Sequence, residues 1–318
     1  MEFLFYLILI TFFYFIVVNI KLPLMFYDIP NNRSSHEYKT LKIGGLVLFP
    51  FILFFSLFSL DDYTIKLILF CSTFIFIISF IDDLFDISIY IRLLIHLLCS
   101  FVFLFFFGNY NNFLFIFFVI SLIWISNLYN FMDGIDGLAS IMTILGFIFL
   151  ALPLFLNENY HLYKLCIYIA IGSLSFFYFN FFKSKIFLGD SGAVTIGFLA
   201  GCIGLCGANY GAWPIWYPTL IFSTFGADAT LTVVLRLTQK NNPLKPHKEY
   251  FFHKLNDLGF NKKTIVLLYA FFILLSSSLG LFLLEKNNFL INTILFIYFL
   301  LIYFLLIFIH FKWKKLIK

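Results

Sequence analysis

The segment "NLYNFMDGIDGLAS", Asn127 to Ser140, sets Asn130, Asp133 and Asp136 at three-residue spacing beside Gly134 and Gly137, between two long apolar runs. Other carboxylates gather in short segments of the same kind: Asp82, Asp83 and Asp86 in "FIDDLFDIS", Asp190 in "FLGDSGAVTIG" and Asp228 in "FGADATLTVVLR". Taken singly, each is a helix cap or a solvated helix end, because acids are favoured in the first turn of a helix. For Asp86 alone that reading is the better one. The set does not fit it, since carboxylates near hydrocarbon are costly and several on one face repel unless cations intervene. A divalent metal resolves the conflict. Oxygen-rich, cysteine-free surroundings suit a hard ion, and Mg²⁺ typically uses one or two carboxylates together with substrate phosphates. Glycines at 134, 137, 189 and 192 would let backbone N–H groups approach a phosphate closely. The chemistry expected is metal-assisted and directed at a polyphosphate.

Two basic segments suit the same guest. "YDIPNNRSSHEYKTLKIGG" carries Arg33 and His36, and "RLTQKNNPLKPHKEYFFHKLNDLGF" carries Lys245, His247, Lys248 and His253. Beside an acid-metal centre such loops favour a phosphate ligand. His96 and His310, in or at the end of apolar runs, read as core or interface histidines. The five cysteines all fall inside apolar runs, and Cys202 and Cys206 share a helix face with no ligand cluster beside them, so they read as small structural residues.

The elements that must position these residues are membrane helices. With 62% hydrophobic and 12% charged residues and 50 Phe in 318 positions, a soluble domain could not hide its apolar surface. Apolar runs near the roughly 20 residues that cross a bilayer fall at about 1–20, 43–60, 64–81, 89–107, 113–127, 139–156, 163–182, 193–209, 213–235, 264–284 and 289–311. The first has an acid instead of a basic n-region and no small-residue cleavage site, so it is expected to remain as a helix. If the N-terminus lies outside, eighteen of the Lys and Arg residues fall on the inner side and only Lys66, Lys164 and Lys286 on the outer. The expectation is an all-α polytopic protein of about 11 transmembrane helices, one domain over 1–318, with a periplasmic N-terminus and a cytoplasmic C-terminus. The acid motifs then face the cytoplasm. The tail "KWKKLIK" reads equally as a solvated end or as a headgroup contact. No internal repeat, linker or nucleic-acid-binding element is apparent.

Six segments, "DIPNNRSSHEYKTLKIGG", "IDDLFDIS", "NLYNFMDGIDGLAS", "NFFKSKIFLGDSGAVTIGF", "DATLTVVLR" and "PHKEYFFHKLNDLGF", occur in the order and spacing of the polyprenyl-phosphate N-acetylhexosamine-1-phosphate transferases, glycosyltransferase family 4. The resemblance spans about residues 28 to 260. It implies transfer of a sugar-1-phosphate from a UDP-sugar to a membrane polyprenyl phosphate, with release of UMP. It further implies dependence on Mg²⁺, or in some relatives Mn²⁺, at the cytoplasmic face of a bacterial inner membrane. Asp82 and Asp83 match paired aspartates proposed to bind metal or to act on the lipid phosphate as base or nucleophile. Asn130, Asp133 and Asp136, with Asn127 in the same segment, match the nucleotide and metal motif. Asp190 matches an aspartate that contacts Mg²⁺, with Asp133 as the second metal residue. Asn180 and Lys185 precede it as in relatives. Lys248 and His253 fall where a basic residue and a His or Gln handle the sugar or the phosphates, and Arg33, His36 and Asp228 complete the expected substrate-binding set.

Departures matter as well. Relatives commonly have more histidines in the 247–253 loop, where this chain has Tyr250 and Phe252. "NFMDGIDGLA" and "PNNRSSH" resemble most the branch that starts O-antigen or capsule chains. The alternatives are a peptidoglycan-precursor phospho-sugar transferase and, from another class, a transporter or lipid flippase, which would place polar residues near the bilayer midplane. The sequence leaves open the donor sugar, the polyprenol length and homodimerisation.

Overall fold

The computed structural model describes residues 1–29, 39–242 and 247–317. Arg33, His36 and Lys245 lie outside the described residues. The chain is an all-α polytopic membrane protein whose residues group into two compact units, Met1–Trp213 and Pro214–Lys318.

The first unit holds α1 (Glu2–Asn19), α2 (Gly44–Ser59), α3 (Tyr63–Phe85), α4 (Ile89–Phe107), α5 (Asn112–Met132), α6 (Leu138–Leu156), α7 (Tyr160–Phe177), which runs on into a π turn (Tyr178–Phe182), and α8 (Gly189–Asn209). Two short strands, β1 (Tyr27–Asp28) and β2 (Thr40–Leu41), pair antiparallel. The second unit holds α9 (Trp216–Ile221), α10 (Ser223–Thr238), α11 (Phe251–Asp257), α12 (Lys262–Leu283) and α13 (Asn288–Ile317).

Among the described residues nine helices are long and apolar enough to cross a membrane. The difference from the eleven apolar runs has two sources. The run at 43–60 forms α2, which has 16 residues and a proline, Pro50, inside it. The run at 213–235 divides at Phe222 into the six-residue α9 and the separate α10, and Pro214 and Pro218, which cannot donate a helical hydrogen bond, lie in its first part.

In the first unit α8 is the central helix: 94% of its apolar window is buried, and α2, α3 and α5 pack around it. Glycine permits this. A Cβ on Gly197 would meet the Ile125 carbonyl oxygen and the Ser126 Cα of α5 at 2.8 Å, and one on Gly45 would lie 2.3 Å from the Gly192 nitrogen. Membrane helices lack a hydrophobic drive toward each other and gain from such close backbone packing.

The start of α8 is fixed from outside the helix. The Phe187 N–H donates to the Leu41 carbonyl at 2.6 Å, and the N–H groups of Gly44 and Gly45 donate to Phe187 and Leu188 at 2.8 Å each. Residues 41–45 are thereby stitched to 186–188, which sets Lys42 beside the first turn of α8.

The core of the second unit is built on Leu220, Phe251, Tyr298, Ile302 and Leu306. The last turns of α13 carry α11: the Trp313 indole donates to Asp257 Oδ2 at 2.8 Å, and the Lys254 ammonium lies 3.9 Å from the Phe251 ring centroid and 5.5 Å from that of Trp313.

Candidate active site

Asp82 and Asp83 occupy the last turn of α3, and Asp133 is the C-terminal cap of α5. A helix C-terminus carries the negative end of the macrodipole, so these are the unfavourable ends for carboxylates. Only Asp190 sits in a first turn, that of α8. The compensation comes from other elements. Asp83, 8% exposed, accepts from the backbone N–H of Asp190 on Oδ1 and of Ser191 on Oδ2, both at 3.0 Å. The C-terminal carboxylate of one helix thus caps the N-terminus of another. Gly189 allows it, with φ +75 and a position at which a Cβ would stand 2.8 Å from Asp83 Oδ2.

Two cations complete the balance. Lys42 Nζ lies 3.8 Å from Asp83 Oδ1. The Arg92 guanidinium, from the first turn of α4, donates to Asp82 Oδ2 and, at 2.9 Å, to Asp190 Oδ2. Asp82 Oδ1 also accepts from the Ile87 N–H at 2.7 Å. Sequence reading counted Lys42 and Arg92 only as topology charges. The available signal was position: Arg92 is the one Lys, Arg, Asp or Glu in α4, three residues inside its start.

Asn130, in the last turn of α5, donates to Asp190 Oδ2 at 3.1 Å. Asp133 follows at the helix end, where burial and the neighbouring charges of Asp136, Asp190 and Asp83 raise its carboxyl well above the usual range. Asp82, Asp83, Asp133 and Asp190 therefore lie near one another, with Asp136 beside them, while Asp228, grouped with them on sequence grounds, belongs to the second unit. Asn180 has a different placement: its Oδ1 accepts from the Gly137 N–H at 2.6 Å and its Nδ2 donates to the Ile186 carbonyl at 2.8 Å. It ties the turn before α6 to the segment leading into α8. Asn127 Nδ2 donates to the Ile123 carbonyl at 2.7 Å, with His96 Nδ1 at 3.5 Å, and Lys185 is exposed.

In the second unit Asp228 is fully buried and accepts from the N–H groups of Phe251 at 2.8 Å and Phe252 at 3.3 Å and from the Tyr269 hydroxyl. It anchors the start of α11. Lys248 is exposed and His253 half-buried. Burial, reinforced by nearby Lys248, pushes the His253 imidazole down to about 4, and burial with Arg236 does the same to His247. Tyr250 and Phe252 are buried at 7% and 0% and stack at 5.7 Å, so these rings serve packing.

Among the described residues no three Asp, Glu, His or Cys side chains form a closed metal cage. The donor set nonetheless fits Mg²⁺, which needs few protein ligands: Asp190 and Asp133 offer hard oxygens, and their mutual repulsion is the kind a divalent cation relieves. All five cysteines are free and buried.

The Glycosyl transferase family 4 profile matches residues 65–208, which include every one of these acids except Asp228. The chain is 24% identical over 271 residues to the probable undecaprenyl-phosphate N-acetylglucosaminyl 1-phosphate transferase of Bacillus subtilis, covering 79% of this chain and 75% of that one. It is 26% identical over 296 residues to the undecaprenyl-phosphate alpha-N-acetylglucosaminyl 1-phosphate transferase of Escherichia coli, with 86% and 80% covered. Identity is again 26%, over 279 residues, to the phospho-N-acetylmuramoyl-pentapeptide-transferase of Thermotoga maritima, with 77% and 86% covered. Fold and site thus define a polytopic membrane transferase. Residues 65–208 carry the glycosyl transferase family 4 match, and the chain is a phospho-sugar transferase similar to those enzymes.

Proposed function

We propose that the protein transfers an N-acetylated sugar-1-phosphate from a UDP-sugar to undecaprenyl phosphate at the cytoplasmic face of a bacterial inner membrane, starting an O-antigen or related surface glycan. The observation that carries the reading is the Asp190 carboxylate at the first turn of α8, held by Asn130 and Arg92 beside Asp82 and Asp83. An acid cluster with interleaved cations at helix ends suits a diphosphate. The excess of Lys and Arg on one side of the helices supports the cytoplasmic placement.

In this reading an oxygen of the lipid phosphate attacks the sugar-bearing phosphorus of the UDP-sugar. The bond from that phosphorus to the bridging oxygen breaks, and UMP leaves with the electron pair. A phosphate monoester is largely ionised near pH 7, so the attack needs no strong base, and placement with charge stabilisation dominates. Asp190 and Asp133 would hold Mg²⁺, which supplies Lewis acidity and a template for the leaving UMP. Arg92 and Lys42 offer further positive charge to the phosphates. Asp83 is assigned a positioning role, because both its oxygens are engaged by the start of α8. Lys248 and His253 are assigned to the sugar or phosphates from their place in the motif.

The test follows phosphorus. With donor labelled at the phosphorus next to the sugar, the label should move into the lipid product while UMP appears in equal amount. Release of UDP with unlabelled lipid would mean plain glycosyl transfer and would overturn the reading. A donor panel that includes UDP-N-acetylglucosamine and UDP-N-acetylmuramoyl-pentapeptide separates surface-glycan initiation from the peptidoglycan branch.

A further inference from the structure

The second unit holds a cleft of about 290 Å³ lined from α10, α11, α12 and α13. Thr224, Phe251, Phe272, Leu305, Phe308 and Lys312 are among its lining residues. Protein interiors are close-packed and apolar cavities stay dry, so an opening of this size is a seat for something other than water. Its surroundings are lipid: α12 and α13 are both membrane-span candidates, and Leu305 and Phe308 are 40% and 56% exposed.

The depth is informative. On α13 the lining runs from Ile302 to Lys312, and ten residues of α-helix rise about 15 Å. That is half of a hydrocarbon core of roughly 30 Å, the depth of one leaflet. Among the lining residues the charged one is Lys312, at the end of that run on α13. The Lys312 ammonium lies 5.0 Å from the Phe308 ring centroid, and Lys314 and Lys315 follow in the last turn of the helix. Thr224 adds a hydroxyl, buried and without a hydrogen-bond partner.

We propose that this cleft binds one anionic glycerophospholipid from the leaflet on the basic side, an acyl chain lying along α12 and α13 and the phosphate at Lys312. A polyprenyl chain is several times longer than the cleft is deep, and a zwitterionic headgroup would not repay the basic end. The inference concerns the second unit alone and stands apart from the transfer reaction.

Native mass spectrometry of the purified full chain tests it, with titration by phosphatidylglycerol, phosphatidylcholine and undecaprenyl phosphate. One phosphatidylglycerol per chain should be retained over phosphatidylcholine. Lys312→Gln should weaken that preference about fivefold, the attraction of one lysine for an anionic surface. Leu305→Trp, which fills the cleft, should weaken both lipids, with circular dichroism confirming that each variant is folded. Equal retention of the two phospholipids, or none, would overturn the proposal. So would displacement by undecaprenyl phosphate, which would give the cleft to the acceptor, or a dimer that Leu305→Trp dissociates, which would give it to a second copy of the chain.

Discussion

Asp83 accepts two backbone hydrogen bonds at the start of α8, and an asparagine there would turn one acceptor into a donor facing an N–H group. Asp83→Asn should therefore lower stability by about 2 kcal/mol, as for a lost hydrogen bond to a charged group. It should also depress UMP release by displacing Asp190. Near-normal turnover with normal stability would remove the positioning role. Arg92 bears on the metal. If it shares Asp190 with a bound cation, Arg92→Met should unfold at lower temperature than wild type in chelator and recover with Mg²⁺, whereas an equal response of the two proteins would speak against that sharing. The histidines give a pH dependence. His247 and His253 are held down at about 4 by burial, so the folded state binds fewer protons than the unfolded state between the ordinary imidazole value and about 4. Stability should fall as pH drops through that window, and His253→Gln should flatten part of the slope in thermal melts. The Asn130–Asp190 pairing was legible as two motifs of one chemistry. The roles of Arg92 and Lys42 were not, because a cation in a list of topology charges shows its carboxylate partner only when two helix ends and a loop are brought together.

Elements were legible where hydropathy alone decides. The long apolar runs became α1 and α3 through α8 nearly as drawn, since length and apolarity suffice for a helix that crosses a bilayer. The 213–235 run misled because a hydropathy window does not register the prolines at 214 and 218 or the break at Phe222. The acids' ends were misleading too: first-turn capping fits Asp190, but Asp82, Asp83 and Asp133 sit at C-terminal ends, where only the facing helix and cations make them tolerable. The stitch between 41–45 and 186–188 depends on the Gly45–Gly192 approach, so Gly45→Ala should act on the site through the backbone. A Cβ 2.3 Å from the Gly192 nitrogen should cost about 1–3 kcal/mol, the range for overpacking. A loss of thermal stability accompanied by reduced turnover is expected, and unchanged values of both would show that the stitch is dispensable.

Among the described residues, charge is kept from the middles of the nine membrane-span candidates, while Asp228 lies buried within the shorter α10. Asp82, Asp83 and Asp190 stand in end turns of spanning helices, as does Arg92, while Asp133 caps one. A transporter would instead place such groups near the midplane, in helices broken there. The arrangement favours chemistry at a membrane surface, where a soluble nucleotide-sugar can meet a lipid phosphate. The measurement that tests this most directly is UMP release by the purified protein with undecaprenyl phosphate and UDP-N-acetylhexosamines, with and without chelator, beside Asp190→Asn. The account predicts lipid-dependent release that chelator abolishes and that Asp190→Asn lowers by about 10²-fold or more, the scale of losing a preorganised electrostatic contact. Release that persists in chelator, or that Asp190→Asn leaves unchanged, would contradict it.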